Sequence, residues 1–107
     1  MNETERGKLI KDSWDLHSIV EHSYLTNSAA KGDELWLEKQ RILLADMAIH
    51  LLQTAIKPGE LQTEKLKNNL HAILTIADQF LPEAELKKAT EKLYEIIVVA
   101  DQDKSTS

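Results

Sequence analysis

The chain is 107 residues long, 42% hydrophobic and 29% charged, with no cysteine and a formal net charge of −5. That length fits one domain, and the missing cysteines exclude a disulfide scaffold, a thiolate zinc site, an iron–sulfur cluster and a cysteine nucleophile. The acidic balance argues against a protein that neutralises a phosphate backbone, so no direct nucleic-acid partner is expected.

The first residues, Met1 to Lys8, are polar and lack the basic-then-apolar order of a secretory signal. Apolar runs such as Met47–Ile49 and Ile96–Ala100 fall far short of the roughly 20 residues that span a bilayer. A cytoplasmic protein without a membrane partner is therefore expected.

Three glycines and two prolines punctuate a chain otherwise rich in helix formers. The first predicted helix covers about residues 3–26, with Asn2 and Glu5 spaced as a capping-box-like pair. Its periodicity gathers Leu9, Ile10, Trp14, Leu16, His17, Val20, Tyr24 and Leu25 on one side. Trp14, at the rim of that side, is expected to serve the core. After the connector Thr26–Gly32, Asp33 is placed to cap a second helix that stops at Lys57-Pro58-Gly59.

A third helix is predicted over 62–80, with Leu66, Leu70, Ile73, Leu74, Ala77, Phe80 and Leu81 in one stripe. Pro82 suits the first position of a fourth helix reaching about residue 100, with Glu83 and Glu85 in its dipole-stabilised first turn. The β-branched run Ile96–Val99 has no strand to pair with and is assigned to the end of that helix. The resulting expectation is an all-α, antiparallel up-down four-helix bundle over residues 1–100, with a disordered tail at 101–107.

The second helix departs from the usual amphipathic pattern. Between Ile42 and Ile56 only a thin stripe of Lys39, Asp46, His50 and Gln53 interrupts apolar residues. A helix at the surface of a bundle needs one apolar face. Some of Leu37, Leu44, Ala48, Leu51, Leu52 and Ala55 should therefore stay uncovered in a monomer and form an interface. Trp36, at the start of this helix, joins the same candidate partner-binding set. A homodimer is the first expectation for it, and another protein chain the second.

Chemistry-bearing motifs are sparse. No glycine-rich phosphate loop, nucleophile elbow or His-Glu-x-x-His occurs, so a non-catalytic protein without a cofactor is expected. Asp46 with His50, and His71 with Asp78, have the residue types of acid–base pairs but read first as surface ion pairs. His17 and Glu21 stand one helical turn apart and could both reach a metal ion, with Asp46 and His50 completing a site if the first two helices face each other. The first expectation is a structural His17, hydrogen-bonded in the interior, with the metal site as the alternative.

The sequence thus favours a small protein-binding regulator, adaptor or inhibitor that works through an apolar helix surface. Bacterial immunity proteins and phage-encoded counter-defence inhibitors include helical domains of this size, a likeness of size and class alone. The acidic clusters could also occupy a basic groove on a nucleic-acid-handling protein. The alternatives are a metal-binding bundle using the His/Glu pair and a helical subunit of a larger complex.

Overall fold

A computed structural model describes residues 1–95. The tail at 101–107, the run Ile96–Val99 and the far end of the fourth predicted helix lie outside the described residues. The described chain is all-helical and contains no strand. It consists of α1 (Glu3–Thr26), α2 (Trp36–Ile56), α3 (Thr63–Ala77), a 3₁₀ turn (Pro82–Ala84) and α4 (residues 86–95).

The ends of the helices follow from local chemistry. Asn2 caps α1 through its side-chain oxygen, which accepts the Glu5 amide at 2.8 Å, while Glu5 accepts the Asn2 side-chain amide at 2.7 Å. Asp33 does not cap α2, contrary to expectation. Its carboxylate accepts the Ala30 amide at 2.7 Å and its carbonyl accepts the Trp36 amide at 3.1 Å, closing a local turn. Gly32 makes this turn possible, with φ at +100°. The helix consequently begins three residues later, at Trp36, behind an N-cap Leu35 without a capping side chain.

α3 ends at Ala77, not at Phe80, because the amides of Gln79 and Phe80 turn back onto Ile76 and Ala77 in tighter i→i−3 bonds. Pro82 opens the 3₁₀ turn instead of an α-helix. Glu85 then sits in the left-handed region with φ at +54° and separates that turn from α4. Glu85 thus joins two helical segments through a left-handed conformation and is not a member of a first turn.

α2 runs antiparallel to α1, and α3 to α2. Arg6 meets Ile56, His17 meets Asp46, and Lys39 stands over the Tyr24 ring, so residues of α1 and α2 pair in opposite order. Thr54 reaches Asn69, and Gln40 reaches Gln79, which reverses α3 against α2 in the same way. Tyr94 of α4 packs edge-on against His71 of α3, with the Lys67 ammonium over its ring.

α2 is the middle of a layer, with α1 on one side and α3 on the other. The molecule is flat, 53 × 40 × 18 Å, and its radius of gyration of 16.6 Å exceeds the roughly 13 Å of a compact 100-residue domain. Few side chains are fully enclosed. Among the described residues, the buried hydrophobic ones are Ala29, Ile56 and Ile76, whereas the buried polar ones are Ser13, Gln40, Asp46 and Thr90.

Much of the expected apolar side of α1 is consequently in water. The face turned to α2 carries Ile10, Ser13, His17, Val20 and Tyr24. Trp14 lies about a quarter-turn off that line and is 53% exposed, so it is not a core residue. Leu9, Leu16 and Leu25 flank the seam in the same way and are also exposed. The stripe on α3 is half-buried, with Leu81 exposed beyond the helix end and Ile76 the most enclosed residue.

Candidate functional site

The seam between α1 and α2 gathers the polar residues that the sequence singled out. Asp46, in the middle of the most apolar helix, is buried and has a side chain only 10% exposed. A carboxylate removed from water requires partners. His17 supplies one from α1, with its Nδ1 2.6 Å from Asp46 Oδ1. The opposite ring nitrogen, Nε2, lies 2.8 Å from Glu21 Oε2, one turn along α1. His50, one turn along α2, places Nε2 3.4 Å from Asp46 Oδ2.

Glu21, His17, Asp46 and His50 therefore form one continuous chain of polar groups across two helices. The His17 and His50 rings stand 4.8 Å apart, and Trp14 presents its ring edge-on to His17 at 5.6 Å. One ligand atom from each of His17, Asp46 and His50 lies within 4.8 Å of those of the other two. The spacing in sequence, i to i+4 on each helix, puts each pair on one face, and the antiparallel packing brings the two faces together.

The cluster opens on one side of the layer. His50, Ile10, Trp14, Thr54, Lys65 and Asn69 are among the walls of a groove of about 500 Å³ running over α1, α2 and α3. Lys65 and the two asparagines Asn68 and Asn69 give its far wall a polar character that sequence reading did not pick out. A second groove, of about 410 Å³, lies between α3 and α4 and contains both His71 and Asp78. There the His71 ring meets Tyr94, and its buried Nδ1 has no hydrogen-bond partner among the described residues.

The other side of the layer carries an arc of apolar residues on α2, crossed by the exposed ion pair of Arg41 with Glu38 at 3.0 Å. Leu37 is 50% and Leu52 38% exposed, and Ala45, Ala48 and Ala55 lie open on the same arc of α2. Leu44 and Leu51 are half-buried at its edge, towards α3. Trp36 is turned away from this arc. Its indole nitrogen donates to Gln79 Oε1 at 3.2 Å, and Gln79 in turn donates to Gln40 at 2.8 Å, tying the start of α2 to the turn after α3. The α1–α2 register extends the face onto α1. Helical periodicity turns Leu9 and Leu16 to the side opposite Trp14, beside Leu52 and Ala45 respectively. Sequence periodicity places Leu9 and Leu16 on the apolar side of α1, and their place in the open face depends on the register of two helices.

Compared with protein-family models, with curated proteins and with solved structures, the chain shows no match.

Proposed function

We propose that this chain is a protein-binding module of the regulator, adaptor or inhibitor kind, non-catalytic, whose partner covers the face formed by α1 and α2. The observation that carries this reading is the exposure of Leu9, Leu16, Leu37, Ala48, Leu52 and Ala55 on one side of a flat helical layer. Scattered apolar residues are ordinary on protein surfaces, whereas apolar residues grouped on one side of two neighbouring helices, here around the Arg41–Glu38 pair, suit an interface with a polar element.

A second copy of the chain is the first occupant to test. Two-fold pairing lets the strip cover itself, and the alanines at 45, 48 and 55 allow two helices to approach closely. Each layer would then acquire the second layer that a helical domain normally needs to enclose a core.

Sedimentation equilibrium of the full chain tests this directly. The expected result is a dimer at micromolar concentration that Leu52→Glu or Ala48→Glu converts to a monomer with unchanged helix content. A chain that stays strictly monomeric at high micromolar concentration, with a sedimentation behaviour indifferent to Leu52→Glu, would remove self-association from the proposal.

A further inference from the structure

The polar tie between α1 and α2 contains distances of two kinds. The 2.6 Å between His17 Nδ1 and Asp46 Oδ1 is a short charge-assisted hydrogen bond. The 3.4 Å between His50 Nε2 and Asp46 Oδ2 is long for a hydrogen bond. A tetrahedral zinc ion, with bonds of about 2.0–2.2 Å to nitrogen and oxygen, holds neighbouring ligand atoms about 3.3–3.6 Å apart. His50 and Asp46 already stand at that separation. His17 Nδ1 is nearest the other carboxylate oxygen, Oδ1, so one-oxygen binding requires the Asp46 carboxylate to turn and the three ligand atoms, within 4.8 Å of one another, to draw in around the ion.

We propose that His17 Nδ1, the Asp46 carboxylate and His50 Nε2 bind one first-row divalent cation of the zinc class, leaving a fourth coordination position free. Two imidazoles and one carboxylate suit zinc and its neighbours, whereas magnesium and calcium take oxygen ligands. Glu21 is not a ligand in this arrangement. Its Oε2 lies 2.8 Å from His17 Nε2, on the ring edge away from Asp46, where a carboxylate behind a metal-bound histidine can favour the tautomer with Nδ1 towards the metal.

The ligands come from both helices, so an ion bound here clamps α1 to α2. Its entry displaces the proton shared by His17 and Asp46, which leaves for solvent. An access route exists on the groove side, where the His50 side chain is 33% exposed. The free position is available to water or to a donor atom brought by a bound molecule. None of this depends on the apolar face, which lies on the other side of the layer.

The test is a zinc titration of chelator-treated full-length protein, followed by calorimetry and by thermal melting. One zinc ion per chain is expected, with a rise in melting temperature that magnesium does not produce. His50→Gln should weaken binding by more than about tenfold, and Glu21→Gln by about tenfold, the scale set by loss of an outer partner. His22→Gln, a change at an exposed histidine outside the cluster, should leave affinity unchanged. Cobalt in place of zinc should give the intense visible absorption of a four-coordinate site, lost in His50→Gln. His17→Gln removes a more enclosed side chain, so the part-exposed His50 carries the test if that variant fails to fold. Absence of stoichiometric binding to the wild-type chain, or an affinity untouched by His50→Gln, overturns the proposal.

Discussion

Replacing Asp46 by alanine should be the most damaging single change at the α1–α2 seam. The carboxylate is buried, and it accepts a 2.6 Å hydrogen bond from His17, whose side chain is 15% exposed. Losing a hydrogen bond to a charged group costs about 1.5–3 kcal/mol, and leaving the enclosed His17 Nδ1 without a partner adds a desolvation cost of about 1–3 kcal/mol. The Glu21 carboxylate still lies 2.8 Å from the other ring nitrogen, and water can reach part of the vacated space beside the part-exposed His50, so the lower half of that sum applies. A loss of about 3 kcal/mol is expected. Asp46→Asn keeps an acceptor oxygen in place and should cost about 1 kcal/mol. Urea unfolding with chelator present separates these values from any effect of metal, and an unchanged slope against urea shows that the folded state is the same. A difference below about 0.5 kcal/mol for Asp46→Ala, the ordinary range for surface changes, would refute the energetic role given to this tie.

Four other outcomes follow from single positions. Asn2→Ala removes the cap of α1 and should cost about 1 kcal/mol in thermal or urea unfolding. Arg6→Ala deletes the side chain that donates to the Ile56 carbonyl at the C-terminus of α2, and a loss of about 1–2 kcal/mol is expected from the same measurements. Gly59→Ala puts a Cβ on a residue with φ at +92°. No atom stands within 4 Å of that Cβ, so the expected loss of about 1 kcal/mol arises from backbone strain alone. Trp14→Ala should change stability by less than about 1 kcal/mol, because half of the ring is already in water and burial is what makes such truncations costly.

Helix positions were largely legible from the sequence because, Gly7 inside α1 apart, glycine and proline sit where the chain breaks. The failures came where a turn competed for a residue assigned to a helix. Asp33 has the right side chain for an N-cap, yet Gly32 lets the backbone fold back so that Asp33 binds Ala30 instead. Phe80 lost its place in α3 to a tighter turn that no apolar spacing announces. The candidate ligand set was legible as four residues, since His17 with Glu21 and Asp46 with His50 each span one helical turn. What the sequence could not supply was the register of α1 on α2, which places Asp46 on one nitrogen of His17 and Glu21 on the other. The same missing register hid the fate of Trp14 and Leu16, because the wide apolar side of α1 admits more than one docking angle.

The order of the helices across the layer also bears on how the chain acquires its structure. Among the described residues, the α1–α2 and α2–α3 interfaces each join elements that follow one another, across the short connections at residues 27–35 and 57–62. Little chain entropy is lost in closing such loops, and folds built from neighbouring helices assemble in microseconds to milliseconds. During synthesis α1 and α2 emerge first and carry between them all four members of the Glu21–His17–Asp46–His50 chain. The polar tie can therefore close as a helical hairpin before α3 has left the ribosome, which sets the pairing of α1 and α2 ahead of any choice of partner for their open face.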